Sequence, residues 1–390
     1  MRVLQIIPSI SLVYGGPSQM VKGLSAALSD RQIEVTILTT NSNGDSGEAP
    51  LDVPLDRPVE ENGYQIRYFP CFPFRRYKFS PGLLKWLSQH SAQFDIAHIH
   101  ALFSPLSSAA ATVCRQQHLP YLLRPLGTLD PADLRKKRQL KRLYTALWEK
   151  GNIAGASAIH FTSSIEAKVS QTFGTQTPEE IIPLGVQLPE APEPGTARAK
   201  LGIAKEVPLI LYMSRIDPKK GLDLLIPALE TLVNEKYEFK WVLAGGNPQN
   251  PGYVEQIERQ IQASSLAQCT QFAGFVTGEL KAALLQDADL FVLPSYYENF
   301  GIAVAEAIAS GTPVVISTGV YIWEAIQQSG AGWTCGCDVA SLTESLRLAL
   351  SDRQEREKRG RAGAAYAREH YSWDAIAEQT ITVYQKYIQT

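Results

Sequence analysis

Short β-branched or apolar runs alternate with longer segments of helical spacing along the whole chain. In the first half the runs are RVLQIIP (2–8), IEVTILTT (33–40), YQIRYF (64–69), DIAHIH (95–100), PYLLRP (120–125) and SAIHFT (157–162). Between most of them lie segments such as SQMVKGLSAALSD (18–30), with apolar residues at i, i+3 and i+4. Runs this short, bounded by Gly, Pro, Asp and Asn, predict strands. Their alternation with helices predicts βαβ units and a parallel sheet buried on both faces.

Residues 41–63 interrupt the pattern with a polar, Gly/Pro/acid-rich stretch, read as a loop. Residues 187–196, QLPEAPEPGT, hold three prolines and a glycine and make the best linker, assigned to 189–196. Beyond it the alternation restarts with VPLILYMS (207–214), FKWVLAGG (239–246), CTQFAGF (269–275), DLFVLPS (289–295) and TPVVIST (312–318). The expected organisation is two α/β domains, 1–188 and 197–370, with a cleft between them and a final amphipathic segment at 371–390. Such sheets bind ligands beyond the carboxyl ends of their strands, so those ends are where chemistry is sought.

Composition changes this picture little. The chain is 45% apolar and 19% charged with a formal charge of −2, which argues against nucleic acid as the main partner. No apolar run reaches the length of a membrane span, and MRVLQIIPSI reads as a buried first strand rather than a signal peptide. Five cysteines without a C-x-x-C pair fit thiols in a reducing cytoplasm, so the expected location is cytoplasmic.

The candidate chemistry sits at strand ends. Gly15-Gly16 before Pro17 is a side-chain-free turn feeding a helix start, which presents N–H groups to an anion or is simply a turn. In MSRIDPKKGLDLLI, Arg215 follows a strand and Lys220 stands before the next helix. Two cations so placed clamp a diphosphate or form a solvated turn. In SYYENFGIAVAEAIASGTPVV, Glu298 falls at a strand-to-helix turn and Glu306 two turns on, near the same side. Carboxylates there accept from sugar hydroxyls, and N–H groups at 299–301 meet phosphate or sugar oxygens; dipole-favoured, solvated acids are the alternative. Asp287-Ala-Asp289 reads as structural, and no metal is assigned to His98-x-His100.

Taken together, S214-R-I-D-P-K-K-G221 and L293-P-S-Y-Y-E-N-F-G-I-A-V-A-E-A-I-A-S-G-T-P-V-V315 resemble the retaining glycosyltransferases of family 4, also called glycosyl transferases group 1. Weaker echoes in the Gly-Gly turn, D95-I-A-H-I-H100, I182-P-L-G185 and Y371-S-W373 extend the resemblance over essentially the whole chain. It implies a GT-B fold, two Rossmann-like doubly wound parallel-sheet domains facing across a cleft, with the C-terminal helix returning to the first domain. It implies Arg215 and Lys220 on the donor diphosphate, Glu298 with Asn299, Phe300 and Gly301 on the transferred sugar, and Glu306 on the ribose. Gly15 and Gly16 would meet the phosphates, and His100 and Arg124 are acceptor-side candidates. The donor would be a UDP-, GDP- or ADP-hexose, with no further cofactor and no metal, and the acceptor a saccharide or a lipid-linked one. One departure stands out: where many members carry a His after the fifth strand, this chain reads YLLRPLGTLDP.

The segment LRKKRQLKRLYTALWEK (134–150) interleaves cations with leucines and aromatics, and FPFRRYKF (72–79) adds more. It reads either as peripheral contact with an anionic membrane or as a solvated helix packed through its Leu face. The competing functions are a nucleotide-sugar-binding protein without turnover and a nucleotide-sugar epimerase of the same fold.

Overall fold

The computed structural model describes residues 1–44, 49–71, 78–135, 138–187 and 192–388. The linker expected at 189–196 and the run at 72–79 thus lie partly outside the described residues, as do Lys136 and Lys137. The chain forms two compact units, Met1–Gly185 with Trp373–Thr390, and Val186–Ser372.

The first unit is built on an eight-stranded sheet. Its strands are β1 (Arg2–Ser9), β2 (Glu34–Thr40), β3 (Pro58–Glu61), β4 (Tyr64–Phe69), β5 (Ile96–His100), β6 (Tyr121–Arg124), β7 (Ala158–Phe161) and β8 (Glu179–Ile181). They are ordered β3-β4-β2-β1-β5-β6-β7-β8, and all pairs are parallel except β3 with β4. The expected loop at 41–63 therefore carries an edge strand.

Side chains alternate across a strand, so each strand feeds two cores. Leu4, Ile6, Ala97, Ile99, Leu123 and Ile159 face one layer. Val3, Ile7, Ile96, Leu122 and Ala158 face the other, where the C-terminal helix Trp373–Ile388 contributes Ile376, Ala377 and Tyr384. That helix is seated closely. A Cβ at Gly23 or Gly185 would lie 2.3 or 2.2 Å from the Trp373 ring, so both positions give the indole its space.

The second unit holds a six-stranded parallel sheet of β9 (Leu209–Met213), β10 (Lys240–Ala244), β11 (Thr270–Gly274), β12 (Leu290–Leu293), β13 (Val314–Ser317) and β14 (Gly332–Cys335). Its order is β11-β10-β9-β12-β13-β14, the doubly wound arrangement in which the winding reverses between β9 and β12. In such sheets the carboxyl ends of the two strands that flank the reversal are where ligands bind. Where the chain enters and leaves this unit, Val186 N donates to Tyr371 O (2.8 Å).

Candidate functional site

The loop after β9 runs through Ser214, Arg215 and Ile216 into a tight turn, Pro218–Lys220. Asp217 caps the turn by accepting from Lys219 N (3.2 Å), and the helix Leu222–Asn234 follows. Gly221 between them has φ +73°, and a Cβ there would stand 2.0 Å from the carbonyl oxygen of Pro294. Only glycine allows this left-handed turn to press against the end of β12. Tyr296 N donates to Lys219 O (2.9 Å) and the Tyr296 hydroxyl to Asp223 (2.7 Å), which ties the two loops together.

This packing brings Lys220 and Glu298 into an ion pair, across 78 positions of sequence. Lys220 is 6% exposed. Burial, and then the charges of Lys219 and Arg215, lower its ammonium pKa to about 7, with Asp217 opposing. The Glu298 carboxylate in contact with it also favours the charged form. Desolvation sets the direction. Arg215 is exposed at the mouth of the same turn.

Glu298 is held on its backbone. Its N–H donates to Gly319 O (2.8 Å), and its carbonyl accepts from Tyr321 N (2.9 Å). The helix that follows is Ile302–Ala309, capped by Gly301. Glu298 therefore stands in the strand-to-helix turn and Glu306 within the helix, where the sequence places them. Glu306, in the helix, pairs with Lys281 (2.6 Å) rather than with the cations at 215 and 220. Phe300 is 2% exposed, packed edge-on to Tyr371 at 5.3 Å. Asn299 and Gly301 flank it, and the first-turn N–H groups of Ile302 and Ala303 have no intrahelical acceptor. Cations, a carboxylate and a helix start thus converge where β9 and β12 end. Such a set has the chemistry to bind an anion and to orient hydroxyls beside it.

In the first unit, Gly15 ends the loop after β1 with φ +67°, and Gly16 begins the helix Gly16–Ser29. His100 and Arg124 do not meet solvent as an acceptor-side role requires: they are 0% and 2% exposed. The reason is strand parity. Gln5, His98, His100, Arg124 and His160 point to the sheet face covered by the C-terminal helix. Gln5 and the three histidines, joined through the Tyr384 hydroxyl, form one buried chain of hydrogen bonds, and Arg124 lies on the same face outside it. His100 Nε2 meets Gln5 Oε1 (2.7 Å), Gln5 Nε2 donates to the Tyr384 hydroxyl (3.0 Å), and that oxygen meets His98 Nδ1 (2.8 Å). His98 Nε2 then meets His160 Nδ1 (3.1 Å), and His160 Nε2 meets Ile182 O (2.7 Å). A carbonyl can only accept, so His160 donates through Nε2. Tautomers then follow down the chain: His98 donates through Nε2, Tyr384 donates to His98, and His100 donates through Nε2. Burial holds all three imidazoles neutral, well below the usual histidine range, and lowers the Arg124 guanidinium to about 10.

Asp287 and Asp289 hold backbone. Asp287 accepts from Gly195 N (2.7 Å) and Ala197 N (2.8 Å), and Asp289 accepts from Leu209 N (2.7 Å) and pairs with Arg198. Among the described residues no group of three His, Cys, Asp or Glu is placed to hold a metal, and no helix is long and apolar enough to cross a membrane. Lys281 and the Tyr296–Asp223 bond were missed by sequence reasoning, since no local pattern announces a contact between separate elements.

The two sheets define a two-domain α/β protein of the GT-B class, with doubly wound sheets. The family description Glycosyl transferase 4-like domain matches residues 15–185, and Glycosyl transferases group 1 matches residues 195–366. The chain belongs to the group 1 glycosyltransferases. It is 33% identical over 189 residues to an uncharacterized glycosyltransferase of Methanocaldococcus jannaschii, an alignment that spans 48% of this chain and 47% of that one. It is 25% identical over 410 residues to the D-inositol 3-phosphate glycosyltransferase of Kineococcus radiotolerans, covering 96% and 91%. Among solved structures, Anabaena HepE in complex with UDP and glucose superposes with a TM-score of 0.73 at 18% identity, covering 99% of this chain and 100% of that one.

Proposed function

We propose that the protein transfers a hexose from a nucleoside-diphosphate sugar to a saccharide or lipid-linked acceptor, with retention of anomeric configuration, in the synthesis of a glycan or cell-envelope polysaccharide. The observation that carries this reading is the Lys220–Glu298 pair at the adjoining ends of β9 and β12, where the winding of the second sheet reverses. A diphosphate entering there meets a buried cation and replaces Glu298 as the partner of Lys220. Arg215, exposed beside it, adds bidentate donors. As the sugar–oxygen bond breaks, negative charge grows on the leaving diphosphate, and these fixed cations stabilise it. The new bond forms from the acceptor oxygen to the anomeric carbon, and the acceptor proton passes to the leaving phosphate.

Glu298, freed from Lys220, orients the sugar hydroxyls together with the backbone at Asn299, Phe300 and Gly301. Glu306 accepts from the ribose. The UDP in the HepE complex favours uridine donors within the UDP, GDP and ADP set. The candidates of the first unit carry no part of this argument. The protein acts at the cytoplasmic face of a membrane, in peripheral contact with anionic lipid.

A panel of UDP-, GDP- and ADP-hexoses, scored for thermal stabilisation and slow donor hydrolysis, tests the reading. Stabilisation and hydrolysis by one donor class are expected. Stabilisation with neither hydrolysis nor transfer would point to a binding protein, and no stabilisation by any donor would end the proposal.

A further inference from the structure

The helical segment that runs through Arg138–Tyr144, Thr145–Glu149 and Lys150–Ala154 is amphipathic in the wrong sense for a soluble protein. Its protein-facing side is largely polar. The Tyr144 hydroxyl meets Ser108 Oγ (2.8 Å), and buried Glu149 accepts from Phe103 N (2.7 Å) and Ser108 Oγ (2.7 Å). Asn152, also buried, donates to Ser108 O (2.9 Å) and accepts from Thr112 Oγ1 (3.1 Å). The opposite side is apolar and turned to solvent. Leu140 is 62% exposed, Leu143 59%, Leu147 59% and Trp148 48%.

Spacings of three and four residues put the three leucines on one helical face, and Trp148 widens it. Burial of apolar area alone would seat this helix the other way up, on its leucines. Instead a carboxylate and an amide are desolvated and satisfied in order to hold the leucines outward. The middle turn, Thr145–Glu149, is π-helical, a geometry that re-phases the faces of a helix.

We infer that this face docks on an anionic bilayer, with Leu140, Leu143, Leu147 and Trp148 entering the headgroup–acyl boundary. The charge around it selects that occupant. Arg135, Arg142 and Lys150 are exposed at its margins. A second copy of this chain would bring the same cations against one another, whereas phosphatidylglycerol or phosphatidylserine headgroups neutralise them. Leucines with a tryptophan at their edge and flanking Arg/Lys are the composition of an interfacial helix. The inference rests on the membrane part of the proposed function and is independent of the donor site, so the two can fail separately.

The test is co-sedimentation of the full chain with phosphatidylcholine vesicles, with and without equimolar phosphatidylglycerol, at low and high salt. Binding to the anionic vesicles, weakened by salt, is expected. Leu143→Glu with Leu147→Glu should lower vesicle affinity about tenfold or more. Arg142→Gln with Lys150→Gln should lower it on anionic vesicles alone. Because these positions are exposed, the variants should keep the wild-type melting temperature and donor-induced stabilisation, which separates lost docking from lost fold or a failed donor site. Equal binding by wild type and the leucine variant, or no binding of wild type to anionic vesicles, would overturn the inference. So would a concentration-dependent dimer abolished by the leucine variant.

Discussion

The protonation of Lys220 gives the sharpest quantitative handle on the donor site. Burial and the neighbouring cations lower its ammonium from the usual 10.5 to about 7. A diphosphate in contact with it favours the charged form and raises the pKa in the complex. Between pH 7 and the pKa of the complex, binding therefore takes up a proton. A nucleoside-diphosphate sugar, unlike the free nucleotide, has no phosphate that titrates near 7. Its affinity should fall about tenfold, or about 1.4 kcal/mol, per pH unit over that window. Titration calorimetry between pH 6 and 8.5, in buffers of different ionisation enthalpy, reads the uptake directly. About one proton at pH 8 and about none at pH 6 are expected. In Lys220→Arg, with an always-charged side chain, the pH dependence should vanish. A flat affinity with no proton uptake in the wild type would refute the assignment. The sign for folding follows from the same shift. The unfolded chain binds more protons at this side chain between about 7 and 10.5, so its contribution makes stability rise with pH across that window.

Further outcomes are expected at named positions. Lys220→Ala should abolish transfer while leaving the far-UV spectrum and a cooperative melt in place; full activity would contradict the diphosphate role. Gly221→Ala forces a Cβ to 2.0 Å from Pro294 O at φ +73°. It should cost about 2–4 kcal/mol in denaturant unfolding of the second unit, from the left-handed backbone and the displaced loop contact. A change near zero would mean the turn is looser than described. Glu306→Gln should weaken the donor about tenfold, with little effect on turnover at saturation, as loss of one charged hydrogen bond to bound ribose requires. Tyr384→Phe breaks the buried chain between Gln5 and His98 and should destabilise the first unit by about 1–3 kcal/mol, read by chemical denaturation.

Most of the fold was legible because a parallel sheet covered on both faces demands continuous apolar runs. The strands β2, β4, β5, β6 and β7, and β9 through β13, fall inside the runs that announce them, and β1 outruns its own by one residue. The strands left unread are β3, which begins with a proline on an edge, β8, three residues of EEI, and β14, which opens with glycine. Each is too short or too polar to show a period. At the site, Arg215, Lys220 and Glu298 were legible because a strand end fixes where its next residues stand. Their pairing was not: Lys220 with Glu298 and Lys281 with Glu306 lie 78 and 25 positions apart. His100 and Arg124 were misjudged for a related reason. Each ends its strand, but its face is set by parity, and that face lies beneath a helix from the far end of the chain. The outward leucines at 140–147 were one of two open readings, because periodicity reveals an apolar face and not what covers it.

The central claim, that a donor diphosphate is held where β9 and β12 end, is tested most directly by a crystal structure of the protein with UDP. The account predicts phosphate oxygens within about 3 Å of Lys220 Nζ, with Glu298 released from the ion pair. A diphosphate bound elsewhere, with the Lys220–Glu298 pair intact, would contradict it.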